Sequence, residues 1–187
     1  MGAGKTFIAN EFSGQGVPVY NTDVETRRLQ QENAELKSEI ISLLGENSYI
    51  DGMLNRKWVS SQIFGDEKLK KRLMGIVGPY LIADIDLFYE RNKDADMVLL
   101  ESAILFETPL IEKVDKVIFV QADEEVRLER ANKRDGITEE NYKLRMSSQI
   151  PEEEKIRRAD YVIRNNDGDA TLPRVMEIIN DNKNTID

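Results

Sequence analysis

The feature that most constrains this chain is the pentapeptide Gly2-Ala3-Gly4-Lys5-Thr6. It matches the end of the phosphate-binding signature G-x-x-x-x-G-K-[ST], in which a strand leads through a glycine loop into a helix. The glycines let backbone amides point at phosphate oxygens, the lysine meets the terminal phosphates, and the threonine hydroxyl completes a Mg²⁺ shell. A helical pattern follows at once, from Phe7 to about Ser13. The pentapeptide therefore predicts a phosphate site at a helix N-terminus; a flexible start that happens to contain these residues is the alternative.

Composition restricts the chemistry that is available. The 187 residues, enough for one domain or one domain with a small insert, include no Cys and no His. Disulfides, thiol chemistry, cysteine-bound zinc and a histidine base are therefore excluded. The net charge of −9 argues against non-specific binding to nucleic acid or anionic membranes. Catalysis must then rely on carboxylates, Lys, Arg, hydroxyls, backbone amides and oxygen-bound ions.

Short apolar runs bounded by charged residues alternate with helical patterns along the chain. This alternation predicts an α/β fold with a parallel sheet covered by helices on both faces. The two helices after the second strand are expected to form an extra lobe. The predicted strands are 17–20, 97–100, 117–120 and 161–163, and the predicted helices are 6–13, 22–31, 34–44, 67–91, 123–133, 138–148 and 172–182.

Two carboxylates lie where predicted strands end. Asp23 follows the strand 17–20, and Glu101 comes directly after the apolar run 97–100. In open α/β sheets this edge faces the ligand, so Asp23 is a candidate for deprotonating an attacking hydroxyl. Glu101 is a candidate for holding Mg²⁺ through water or for contacting the acceptor. A first-turn helix acid and a solvated strand-end acid are the respective alternatives.

Basic residues gather on one predicted helix. Arg127, Arg130 and Arg134 follow i, i+3, i+7 spacing and share a face. An Arg carried by a closing lid neutralises charge on a transferring phosphoryl group. We expect Arg145 and Gln149, spaced i, i+4 on the next helix, to line the same lid. A solvated, salt-bridged face is the alternative.

Taken together, these residues resemble the dephospho-CoA kinase family, from Gly2 to about Leu172. Four motifs carry the resemblance: the strand-ending segment, the D-G-x-L-N-R segment, the L-F-E stretch and the A-D-x-V-I-x-N-N ending. The last three are not general features of phosphate-loop proteins. In this chain they are VYNTD at 19–23, DGMLNR at 51–56, LLESAILFE at 99–107 and ADYVIRNN at 159–166.

The resemblance implies a P-loop kinase-like parallel sheet with helices on both faces. Its core would comprise 1–24, 95–122 and 159–182, with a small helical acceptor lobe at about 25–94 and a lid at about 127–150. The implied enzyme is cytoplasmic and transfers the γ-phosphoryl of ATP to the 3′-hydroxyl of dephospho-CoA with Mg²⁺. It would bind neither nucleic acid nor membrane, and would be a monomer or a weak homo-oligomer.

The resemblance also implies roles for single residues. Asp23 would activate the hydroxyl, while Lys5 and Arg134 would stabilise the transferring group. The implied ATP-binding residues are Gly2, Ala3, Gly4, Lys5, Thr6, Phe7, Arg130 and Asn165, with Asn165 beside adenine; the acceptor-binding residues are Asp23, Arg56, Glu101, Phe106 and Gln149; the metal-binding residues are Thr6 and Glu101.

The chain departs from the family pattern in several places. Asn21 replaces the usual Asp, Gly78 precedes Pro79 where His is common, and Ala103 replaces Pro or Leu. The first glycine of the signature would lie before Met1, and so would the central first strand. Because the loss of a central strand would cost more than a typical stability of about 5–15 kcal/mol, we expect translation to begin upstream or the chain to have been cut there.

Two other functions remain open on the sequence. One is a different nucleotide-monophosphate-like or small-molecule kinase, against which the D-G-x-L-N-R segment counts. The other is a nucleotide-binding module whose catalysis is impaired by the missing strand, and which associates through an exposed sheet edge.

Overall fold

The computed structural model describes residues 1–147 and 149–183. The chain divides into two compact units. Unit 1 comprises Met1–Val19 and Asp94–Asp187, and unit 2 comprises Tyr20–Lys93. The predicted acceptor lobe, about 25–94, overlaps unit 2, and its acceptor-binding role stays a prediction.

Helices and short strands alternate as expected for an α/β chain. The helices are α1 Lys5–Gly14, α2 Thr22–Glu32, α3 Ala34–Leu44, α4 Arg56–Ile63, α5 Glu67–Arg91, α6 Glu124–Asp135, α7 Glu139–Ser147, α8 Glu152–Arg158 and α9 Leu172–Lys183. The strands are β1 Val19–Asn21, β2 Tyr49–Ile50, β3 Met53–Leu54, β4 Leu99–Glu101, β5 Ile118–Gln121 and β6 Tyr161–Arg164. Short 3₁₀ segments cover Glu46–Ser48, Leu105–Glu107 and Pro109–Lys113.

Unit 1 is built around a parallel strand pair. β5 and β6 are parallel and pair from Ile118 opposite Tyr161 to Gln121 opposite Arg164, which agrees with the prediction of parallel strands. Helices α1 and α9 supply apolar side chains to the core formed with these strands. The buried members of this core are Ala3, Ile8, Phe12, Val17, Val120, Ala122, Ile163, Val175, Ile178 and Ile179.

Unit 2 is mainly helical. Leu29, Leu36 and Ile40 of α2 and α3 pack with Val59 and Leu73 of α4 and α5. A hairpin of β2 and β3 precedes α4, with Tyr49 opposite Leu54. Its turn residues, Asp51 and Gly52, have φ of 49° and 77°, and a two-residue turn of type I′ requires positive φ at both positions. The two short strands beside this turn are not among the strands predicted from the sequence.

Several boundaries differ from the predictions. β1 begins at Val19 rather than at 17, because Pro18 has no amide hydrogen to donate to a ladder. The prediction that Gln149 shares a helix with Arg145 is wrong, because α7 ends at Ser147. The predicted helix end at residue 148 and the tail from 184 lie outside the described residues.

In the described part of the chain, no helix is both long and apolar enough to cross a membrane.

Candidate active site

The glycine loop is held so closely that two of its positions admit only glycine. Gly2 and Gly4 have φ of 77° and 83°, in the region that favours glycine. A Cβ on Gly2 would lie 2.2 Å from the carbonyl oxygen of Arg127, and a Cβ on Gly4 would lie 2.1 Å from Nδ2 of Asn165. Gly4 directly precedes α1, so the loop opens onto the helix N-terminus as predicted. This arrangement is suited to binding phosphate.

The side chain of Asn165 fastens the loop. Asn165 is buried, and its Nδ2 donates to the carbonyl oxygen of Ala3 at 2.8 Å. Arg130 holds this region from the other side, since Nη1 donates to the Asn165 carbonyl at 2.7 Å and Nη2 pairs with Asp167 at 2.6 Å. Arg130 and Asn165 therefore connect α6 to the phosphate loop, while their predicted contacts with ATP stay predictions.

Two oxygen-bearing side chains lie together at the end of β4. The hydroxyl of Thr6 donates to Oε1 of Glu101 at 2.7 Å. A hydroxyl and a carboxylate are hard ligands and fit Mg²⁺, which takes one or two protein ligands and completes its shell with phosphates and water. Within residues 1–147 and 149–183, no cluster of three or more His, Cys, Asp or Glu side chains forms a metal cage. The donor set therefore fits a metal that arrives with a nucleotide.

Positive charge surrounds the start of the loop. Burial, together with the nearby charges of Lys5, Arg127, Lys155 and Arg134, lowers the pKa of the Met1 α-amino group to about 5. These four cations therefore act on the same region. Lys5 is the first residue of α1, where a phosphate would also meet the helix dipole. Phe7, in the first turn of this helix, is exposed.

A buried lysine that the sequence analysis missed holds one predicted site residue. Lys155 of α8 is 8% exposed, and its Nζ donates to Oε1 of Gln149 at 2.8 Å. The same Nζ lies 3.3 Å from Oε1 of Glu107. The ammonium group is thus satisfied by two oxygens, as a buried charge requires. Gln149 is fixed by this contact rather than by a helix.

Helix α8 also anchors α6. Oε2 of Glu152 lies 2.7 Å from Nη1 of Arg127, and Nε2 of Gln121 donates to Oε1 of Glu152 at 3.2 Å. This one carboxylate joins the end of β5 to the helix whose backbone lies against Gly2. The charge distribution in 152–158, with acids in the first turn and bases in the last, is the signal that would have revealed α8.

The remaining predicted residues of unit 1 have close partners. The exposed guanidinium of Arg134 makes two hydrogen bonds to Asp135, at 2.9 and 2.7 Å. These bonds hold the pKa of Asp135 below its usual value. Phe106 lies under Arg158, whose guanidinium carbon is 4.8 Å from the ring centroid.

Asp23 and Arg56 belong to unit 2, and both lie at helix starts. Asp23 is exposed in the first turn of α2. Asn21 caps that helix, since its Oδ1 accepts from the Val24 amide at 3.0 Å. An amide oxygen caps as well as a carboxylate does, so Asn21 serves this purpose despite its departure from the family pattern. Arg56 is the exposed first residue of α4, after the cap Asn55.

A family model and individual relatives of known function point to the same family. A family model for dephospho-CoA kinase matches residues 1–171. The chain is 35% identical over 175 residues to the dephospho-CoA kinase of Salinibacter ruber, with 92% of this chain and 86% of the relative covered. It is 34% identical over 184 residues to that of Mesorhizobium japonicum, with 97% and 92% covered.

Solved structures agree with the predicted α/β fold. The crystal structure of TT1252 from Thermus thermophilus matches with a TM-score of 0.82 and 27% identity, over 97% of this chain and 92% of that one. The dephospho-CoA kinase from Campylobacter jejuni matches with a TM-score of 0.63 and 25% identity, over 97% and 93%.

Proposed function

This chain belongs to the dephospho-CoA kinase family, and from that membership we propose how its own residues carry out the reaction. The family is a family of kinases, which use ATP, and its reaction produces coenzyme A. The observation that carries our assignment is the glycine loop, in which Gly2 and Gly4 leave no room for a side chain. Such a loop lets ATP phosphates approach the backbone closely.

In our proposal the β- and γ-phosphates bind the amides of Gly2–Gly4 and the N-terminus of α1. Lys5 neutralises the charge that develops on the transferring group, in the positive field described above. Asn165 and Arg130 border the nucleotide while keeping the loop in shape, which the hydrogen bond from Asn165 to Ala3 supports. Phe7, exposed beside the loop, contributes a nucleotide contact.

Mg²⁺ would be held by Thr6 and Glu101, whose oxygen atoms are already within hydrogen-bond distance of one another. When bound, the ion would neutralise phosphate charge and orient the γ-phosphoryl group.

Replacing Thr6 by Ala should raise the Mg²⁺ concentration needed for half-maximal activity by about 10-fold, because a ligand oxygen is lost. Thr6→Ser keeps the hydroxyl and is the matched control, with a Mg²⁺ dependence close to that of the unaltered chain. Titration of Mg²⁺ at saturating ATP measures both. Identical Mg²⁺ dependence in Thr6→Ala and Thr6→Ser would remove Thr6 from the metal site.

On the acceptor side, Asp23 would accept the proton of the 3′-hydroxyl as its oxygen forms a bond to the γ-phosphorus. The bond from the γ-phosphorus to the bridging oxygen then breaks, and ADP leaves with that oxygen. The exposure of Asp23 in the first turn of α2 supports access to a substrate hydroxyl. Arg56, Phe106, Gln149 and Glu101 would contact the acceptor, with unit 2 as the acceptor lobe.

Arg134 would reach the transferring phosphoryl group when the lid at about 127–150 closes. The guanidinium now pairs with Asp135, its neighbour in sequence, and both side chains lie near the surface. An exposed ion pair is weak, so a phosphate can compete with Asp135 for this guanidinium. A phosphate offers the same two-oxygen geometry with more charge.

The reaction is tested by supplying the purified chain with ATP, Mg²⁺ and one acceptor at a time: dephospho-CoA, AMP, CMP or shikimate. We expect acceptor-dependent ADP release with dephospho-CoA alone. Faster turnover of AMP or CMP would favour a nucleotide-monophosphate-like kinase. If no ADP is released with any of the four acceptors, a nucleotide-binding module is favoured.

A further inference from the structure

A network of polar side chains in unit 2 surrounds the start of α2. Oδ2 of Asp84, on α5, accepts from the hydroxyl of Tyr20 at 2.7 Å and from Nη2 of Arg28 at 2.7 Å. Arg28 also pairs with Glu25, one turn earlier on its own helix. One carboxylate of α5 therefore binds two separate points of the segment that runs from β1 into α2.

These two points lie on either side of Asp23. Tyr20 is three residues before Asp23, and Arg28 is five residues after it. Tyr20 is buried at 4% exposure, and its ring packs on Phe88 of α5 with centroids 5.2 Å apart. The position of the first turns of α2 is thus set by contacts to α5 on both sides of Asp23.

The protonation states of Asp84 and Tyr20 favour the hydrogen bonds that hold the start of α2. Burial would raise the pKa of Asp84, but the hydrogen bonds from Tyr20 and Arg28 keep it below its usual value, so the carboxylate stays charged. Burial, followed by the bond to Asp84, raises the pKa of Tyr20 above its usual value, so the phenol keeps the proton it donates. Both hydrogen bonds therefore involve a charged group, which makes them stronger than neutral ones.

We propose that Asp84 is a positioning residue for phosphoryl transfer, which fixes the Asp23 carboxylate through Tyr20 and Arg28 without touching either substrate. This inference rests on the proposed role of Asp23 as the acceptor of the hydroxyl proton. A base displaced by about 1 Å costs up to about 10²-fold in rate, so the network affects the chemical step more than substrate binding.

Tyr20→Phe tests the proposal because it removes one hydroxyl and keeps the ring against Phe88. Tyr80→Phe is the matched control: Tyr80 lies on α5 in the same unit, and its hydroxyl donates to Oε1 of Glu39 at 2.6 Å. We expect Tyr20→Phe to lower kcat by about 10-fold at an unchanged KM for ATP. Tyr80→Phe, which breaks a more exposed hydroxyl–carboxylate bond away from Asp23, should keep kcat within about twofold. Thermal unfolding of both variants reports any general loss of stability.

Equal kcat losses in Tyr20→Phe and Tyr80→Phe would overturn the proposal, because they would reflect general destabilisation. An unchanged kcat in Tyr20→Phe would also overturn it. If Tyr20→Phe does not fold, Arg28→Lys takes its place: it keeps the cation but loses the planar fork, and should again lower kcat alone. If Asp23→Asn lost activity while these variants did not, Asp23 would keep its role as the base and Asp84 would lose its positioning role. A fully active Asp23→Asn would contradict both roles.

Discussion

Replacing Asp23 by Asn should lower kcat for dephospho-CoA phosphorylation by about 10²–10⁴-fold, the usual contribution of a positioned general base. The amide has nearly the shape of the carboxylate but cannot accept the hydroxyl proton. The affinity for ATP should change little, because in our proposal the glycine loop, and not Asp23, holds the phosphates. Steady-state kinetics with dephospho-CoA and equilibrium binding of ATP measure the two quantities separately.

Glu32→Gln provides the control for this substitution. Glu32 is the last residue of α2, is exposed, and lies 3.7 Å from Arg28. It undergoes the same change from carboxylate to amide, on the same helix, away from its first turn. We expect kcat to stay within about twofold, because an exposed ion pair contributes little. If Asp23→Asn kept the kcat of Glu32→Gln, Asp23 would have no role as the base.

Replacing Gly4 by Ala should weaken ATP binding at least 10-fold, because two independent effects disturb the loop. The new Cβ would lie 2.1 Å from Nδ2 of Asn165, and the backbone φ of 83° is strained for any residue with a Cβ. Such strain costs about 1–3 kcal/mol. To relieve it, the chain must either displace the Asn165 amide from Ala3 or turn the loop amides away from the phosphates.

Gly14→Ala is the matched control for Gly4→Ala. Gly14 is the last residue of the same helix, and a Cβ there would have no atom within 4 Å. Unchanged ATP binding and equal or slightly higher stability are expected. ATP affinity in Gly4→Ala equal to that in Gly14→Ala would contradict the described loop.

The local features of the fold were predictable from sequence because their causes are local. The glycine loop, the start of α1, the Asp-Gly turn and the exact bounds of α3 all follow from short-range chemistry. Helix α8 escaped prediction because 152–158 lacks an apolar period, although its acidic start and basic end were present. The strands β2 and β3 have two residues each, too few to show an alternating pattern.

The partners of the candidate site residues were not predictable, because they come from distant parts of the chain. Spacing places Arg127, Arg130 and Arg134 on one helix face, but it does not distinguish a guanidinium paired with Glu152 from one paired with Asp135. In the sequence, Lys155 is one of several charged residues in a row, and nothing distinguishes it from its neighbours. In the structure it is buried between Gln149 and Glu107. The use of Asn165 to fasten Ala3 requires loop and strand to be folded together.

The most direct test of this account is a single-turnover experiment with ATP labelled at the γ-phosphate, the unaltered chain in excess, and dephospho-CoA as acceptor. We predict that the label appears as the 3′-phosphate of coenzyme A, at a rate that Asp23→Asn reduces by at least about 100-fold. Label released as inorganic phosphate, or transferred equally fast by Asp23→Asn, would contradict it.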